Sequence, residues 1–221
     1  MTNRRLVILG GGEHARVVAD AARSRVDAWE LVGYTTADRV EPDEGIPGVA
    51  WLGDDAAAST WIAGLDPAER PSLVLGFWAT AEFRKAVVER FPDAAWATLV
   101  HAAAWVSPSA ATDAGAVVLA GAVVNAGAHL GGHAIVNSGA IVEHDVTVGD
   151  FAHVAPGVKI GGGALIGEAA LLGLGAVIRD HITVGPAATV GMGAVVIADV
   201  PPGAVVVGNP AVAREPERPD G

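Results

Sequence analysis

Three ionisable side chains stand together at Glu143-His144-Asp145, in a stretch otherwise made of small residues. A histidine between carboxylates can take a proton near neutral pH, while the adjacent carboxylate sets its tautomer and stabilises the imidazolium. That is a general-base arrangement; a surface histidine without a site is the plain alternative. A second candidate is Gly10-Gly11-Gly12-Glu13-His14-Ala15. It satisfies G-x-G-x-x-A between a strand pattern and a helix pattern, where free N–H groups and the helix dipole attract a phosphate. Glycines that only let the helix pack on its strand would read the same way. An NAD site also wants an acid at the end of the second strand, and here Tyr34 is followed by Thr35-Thr36, with Asp38 the first carboxylate. NAD is therefore disfavoured, and a nucleotide diphosphate at the same turn stays open. His129 and His133 invite a zinc reading. No spacing around them repeats a recognised ligand set, so no metal is expected.

What must position these groups is a repeat. From Val106 to Val196 every sixth residue is aliphatic except Thr112, sixteen positions in all. Four places further on in each hexad stand Ala, Val or Ile, from Ala110 to Val200. A period of six suits a solenoid of short strands and tight turns, with one inward aliphatic and one inward small residue per hexad. Three hexads make a coil of 18 residues, so sixteen make about five coils. The residue 18 places on then lies one coil up: His144 beside Gly162, Asp145 beside Gly163, with Ala126-Gly127 one coil below. Small neighbours leave a recess around the imidazole, with backbone N–H groups exposed. His153 and Asn137 fall on other sides of the triangle, so they can meet His144 only across a subunit boundary.

The first 105 residues differ in character. All six Trp lie at or before Trp105, and Phe151 is the sole aromatic beyond it. Strand patterns at Leu6–Leu9, Leu31–Tyr34, Leu73–Leu75 and Ala97–Val100 alternate with helix patterns at His14 to about Arg25 and Ala81 to Arg90. This order predicts a parallel, Rossmann-like α/β sheet. The division is thus 1–105 for an α/β unit that binds a nucleotide sugar, 106–200 for the repeat, and 201–221 for a C-terminal tail.

Composition narrows the function classes. The 221 residues are 51% hydrophobic with 29 Gly and no Cys, which excludes disorder, disulfides, thiolate metal sites and a Cys nucleophile. A formal net charge of −11 without a Lys/Arg cluster argues against nucleic acid and against an anionic membrane surface. No signal-peptide pattern and no transmembrane run is evident, so a cytoplasmic protein is expected.

The G-G-G-E-H-A-R-V-V-A-D turn and helix, the unbroken hexads, Val142-Glu143-His144-Asp145 and Gly149-Asp150-Phe151-Ala152-His153-Val154-Ala155-Pro156-Gly157 together resemble the hexapeptide-repeat acyltransferases. Within that family the chain is similar to bacterial N-acetyltransferases of UDP-4-amino-sugars and to sialic-acid O-acetyltransferases; Gly208-Asn209-Pro210-Ala211 resembles the G-x-P-A element that ends such prisms. The resemblance implies a left-handed parallel β-helix, a homotrimer, acetyl-CoA as co-substrate in the groove between prisms, and a sugar nucleotide held by the N-terminal domain. By the same resemblance His144 is the base that deprotonates the acceptor amine and Asp145 its orienting carboxylate. His153, the Gly162 N–H, Asn137 and Gly173 serve the CoA side, while Gly10, Gly11, Gly12 and His14 serve the sugar nucleotide. The chain departs from its relatives in having Thr35-Thr36 where they carry two acids, and His101-Ala102 where they carry His-Pro. A hydroxyl acceptor, a metal-dependent hydratase and a non-catalytic scaffold on the same fold are the competing readings.

Overall fold

A computed structural model describes residues 4–25, 28–38 and 44–214. The apolar run Leu6-Val7-Ile8-Leu9 is wholly buried in β1 (Arg4–Leu9), flanked in parallel by β2 (Trp29–Thr35) and β3 (Ser72–Leu75). The order β2-β1-β3 leaves the carboxyl end of β1 between its two neighbours, where the chain turns through the glycines. Helix α1 (Glu13–Arg23) presents Ala15, Val18, Ala19 and Ala22 to the sheet at helical spacing. Helix α2 (Asp55–Ala63), which sequence periodicity did not reveal, is capped by the Asp54 carboxylate accepting from the Ala57 N–H. Helix α3 (Ala81–Val88) is capped by Thr80 and buries Ala81, Arg84 and Val87. The first unit is therefore a three-stranded parallel sheet with three helices.

The repeat forms a β-solenoid. Its two-residue rungs recur every six residues and pair in parallel with the rung 18 residues on, as Ile135 with His153 and Val136 with Val154. They build three sheets of eight, six and five strands, about six turns rather than five. The difference arises at the ends. Leu99–Val100 pairs with Val117–Val118, so the strand read as closing the first unit is the first rung, and Val205–Val207 adds another after Thr189–Val190. Both inward sets behave as the hexads require: Val136, Val142 and Val148, like Ala128, Ala134 and Ala140, are shut off from solvent in one continuous core. The turns need left-handed backbone at one residue per corner. Gly supplies it at Gly127 and Gly163, while Asp145 (φ 58°) and His181 (φ 55°) hold the same conformation in the same column.

Candidate active site

The His144 pair sits at the corner between the rungs Ile141–Val142 and Thr147–Val148. The His144 Nδ1 lies 3.0 Å from Asp145 Oδ2, and the two side chains are 60% and 73% exposed. The left-handed turn at Asp145 brings its carboxylate back alongside the ring, and Asn/Asp tolerate that conformation better than other side chains. The other neighbouring acid is committed elsewhere: Glu143 Oε2 accepts from Asn125 Nδ2 at 2.9 Å, one coil below. Of the two flanking carboxylates, Asp145 is thus the one that orients the base.

The predicted stacking holds. A Cβ on Gly162 would come within 2.6 Å of His144 Cε1 and Nε2, and one on Gly127 within 2.5 Å of Asp145 Oδ1. The pair therefore fits only between glycines. The Gly162 N–H makes no hydrogen bond among the described residues, whereas the Gly163 N–H donates to the His144 carbonyl at 2.9 Å. The corner offers a base whose distal Nε2 faces outward from its Asp145 tether, beside an available backbone donor.

The glycine turn and the solenoid share a different space, a cavity of about 780 Å³. Gly12, Glu13 and His14 form its wall at the start of α1, while Asn137, His153 and Gly173 form the opposite one. Each glycine in the turn has its own reason. Gly10 has φ 114° and donates to the Thr35 carbonyl at 3.1 Å. A Cβ on Gly11 would meet Thr36 Cγ2 at 2.6 Å and Tyr34 at 2.7 Å, whereas one on Gly12 would have nothing within 4 Å. Gly11 is required by packing, and Gly12 faces open cavity. Gly10 also borders a second recess, of about 360 Å³, with Thr35, Thr36, Asp54, Asp55 and Arg90.

His153 is 7% exposed and its ring lies 5.6 Å from that of Trp78. Its Nε2 is 3.4 Å from Asn137 Nδ2, while Asn137 Oδ1 accepts from the Ser138 N–H at 2.8 Å. The amide nitrogen therefore donates to His153, so that Nε2 is an acceptor and the proton of this neutral ring sits on Nδ1. Burial first, then the Arg84 cation, then His14, push the His153 pKa down to about 4. Burial and Arg84 likewise lower His14, whose buried Nε2 has no partner.

The structure thus brings Gly12, His14, Asn137, His153 and Gly173 to one cavity. It leaves His144, Asp145 and Gly162 at another corner of the same solenoid, as the half-coil spacing requires. His129 Nε2 pairs with Asp113 Oδ2 at 2.8 Å, and His133 is buried on Phe151. Among the described residues no three His, Asp or Glu side chains gather as a metal set. Sequence reasoning missed Trp78 and Arg84, which lie against His153; nothing local in the sequence marks either.

No family model and no curated protein sequence matches the chain. Solved structures do. Perosamine N-acetyltransferase from Caulobacter crescentus, in complex with CoA and GDP-perosamine, is 31% identical, with 96% of this chain and 97% of that one covered and a TM-score of 0.84. The acetyltransferase domain of PglB from Neisseria gonorrhoeae, in complex with acetyl coenzyme A, is 34% identical over 96% and 100% of the two chains, with a TM-score of 0.86. WeeI from Acinetobacter baumannii shares the fold at 21% identity, over 96% of this chain and 100% of that one, with a TM-score of 0.79.

Proposed function

The chain belongs to the hexapeptide-repeat acyltransferases, and from that premise we propose that it transfers the acetyl group of acetyl-CoA to the amine of a nucleotide-linked amino sugar. The observation that carries the reading is the tethered His144–Asp145 pair, exposed over Gly162 in a chain whose whole length matches sugar N-acetyltransferases. The amine nitrogen attacks the thioester carbonyl while His144 Nε2 takes its proton and Asp145 stabilises the imidazolium. The developing oxyanion is met by the Gly162 N–H and by the His153 side of the site. Collapse expels the CoA thiolate, which recovers the proton from His144, leaving the amide and free CoA. No covalent enzyme intermediate is needed.

On this reading the N-terminal sheet is a Rossmann-like nucleotide-sugar domain, with the diphosphate at Gly10-Gly11-Gly12 and His14, and the solenoid is left-handed. Asn137 and Gly173 line the CoA side. The site is completed by assembly: in a homotrimer, His144 of the partner subunit would close the cavity that holds His153 and Asn137. Exposed Trp105, Leu165, Leu174 and Val177 on the solenoid supply apolar surface for such contacts. No described helix is long and apolar enough to cross a membrane; the enzyme is read as cytoplasmic, with access to the CoA and sugar-nucleotide pools.

The test is an assay with acetyl-CoA and a panel of nucleotide-linked 4-amino sugars, GDP-linked ones included. Thiol release is followed by a chromogenic disulfide and the product by mass spectrometry. Amide formation that His144→Ala abolishes supports the reading. An O-acetyl ester as sole product, or no thiol release with any amino sugar, overturns it.

A further inference from the structure

Arg84 is 2% exposed, on the face of α3 that meets the solenoid. Its NH1 donates to the His133 carbonyl at 3.2 Å and its NH2 to the Phe151 carbonyl. His133 and Phe151 are 18 residues apart, the same corner of successive coils, and both have φ 56°. One guanidinium thus straps two coil corners to a helix of the first unit. Around it, the His133 ring stacks on Phe151 at 4.9 Å, Trp96 meets His133 edge-on at 4.7 Å, and Lys85 pairs with Glu168. Among the described residues no carboxylate pairs with Arg84, and its Nε has no partner.

An unpaired buried cation is expensive, several kcal/mol in typical proteins. Two carbonyl acceptors could be served by a neutral donor, so the strap alone does not explain the charge. The strapped corner leads directly into His153, two residues after Phe151, and Arg84 and His153 line the same recess of about 200 Å³. On the cavity side, His153 Nε2 faces the Asn137 amide N–H. A protonated His153 would put two donors face to face and break that pair.

We propose that Arg84 is a positioning residue of the acyl-transfer site: clamped to the corner that carries His153, its buried charge holds that imidazole in the neutral, Asn137-paired form facing the cavity. The role in transfer rests on the proposed function; the control of His153 does not. The other titratable or charged groups at this corner are His14 on α1, Glu82 and Lys85 on α3, and His133, Asp150 and Glu168 on the coils. Glu82 acts on Arg84 without neutralising it, since the guanidinium keeps a pKa of about 10.

The test compares Arg84→Gln, which keeps an amide donor but loses the charge, with Arg84→Lys, which keeps the charge. Histidine ring carbons are labelled and each signal is titrated by NMR, His153 being assigned from its absence in His153→Asn. In the unaltered protein His153 should titrate below pH 5 and in Arg84→Lys nearly as low. In Arg84→Gln its midpoint should rise by at least about one pH unit, a tenfold gain in proton affinity. The acid limb of kcat/KM should move with it, while activity above pH 8 recovers most of its unaltered value. A His153 midpoint near the ordinary 6.5 in the unaltered protein overturns the proposal even if Arg84→Gln fails to fold. So does an unchanged midpoint in a folded Arg84→Gln. Because the NMR measurement needs no turnover, a failed acetyl-transfer assay would strike the functional reading and leave this control standing or falling by itself.

Discussion

Replacing Gly162 by Ala tests the stacked base more sharply than deleting the base. Gly162 has no left-handed backbone, so alanine brings no conformational strain. The only conflict is with the imidazole, 2.6 Å from the added carbon where ordinary contact begins at 3.4 Å, so the ring must retreat by about 0.8 Å. It can do so cheaply, because His144 is exposed and held by the single 3.0 Å contact to Asp145. Stability should therefore hold, or rise by a few tenths of a kcal/mol as the unfolded chain loses freedom. Catalysis should not hold. A misplacement near 1 Å costs on the order of 10²-fold, within the 10² to 10⁴ that general-base assistance supplies, so kcat should fall about a hundredfold, or ~2.7 kcal/mol of barrier. Steady-state thiol release at saturating acetyl-CoA measures it, beside a melting curve. The double variant with His144→Ala separates the routes. If the loss runs through the base, the double variant is no slower than His144→Ala alone. A Gly162→Ala enzyme within threefold of normal turnover, or a double variant whose losses multiply, would refute the reasoning.

Three other outcomes are expected. His144→Ala should lower kcat by ~10² to 10⁴ and leave acetyl-CoA affinity, read by calorimetry, nearly unchanged. Gly12→Val should raise KM for the sugar nucleotide at least about tenfold with an unchanged melting temperature, since its side chain enters open cavity; Gly11→Ala, pressed on Tyr34 and Thr36, should lower the melting temperature instead. Because His133 and His153 are held at about 4 when folded, against about 6.5 unfolded, the unfolded chain binds more protons between those values. Stability is full above pH 6.5 and is lost progressively down to pH 4, by up to about 3 kcal/mol per ring; a melting temperature flat from pH 7 to 5 would contradict this.

The solenoid was readable because each rung is only two residues long and sends one aliphatic inward, so burial transcribes directly into a period of six. Val142 and Val148 could be placed in the core without any knowledge of the third dimension. Its ends were not readable, because Leu99–Val100 alternates like any strand and only its pairing with Val117–Val118 assigns it. Helix α2 was missed although Asp54 offers an N-cap, since its apolar residues do not gather on one face and it buries only Ala58.

For the site, the spacing of 18 is the instructive quantity. It placed His144 against Gly162 correctly, and applied once more it relates Glu143 to Asn125, the contact that removes Glu143 from the base and leaves Asp145. The same spacing relates Gly115, His133 and Phe151, so the aromatic stack beneath Arg84 was latent in the repeat. Arg84 itself was not. A basic residue on an amphipathic helix reads as solvated, and only the docking of α3 on the coil corners turns it into a buried cation. That contrast follows from the architecture: a solenoid carries its chemistry on corners whose neighbours are set by chain arithmetic. The facing domain is joined to those corners by contacts with no period. Groups that act within the prism are therefore legible in one dimension, and groups that tune it from outside become visible only when the two units are seen together.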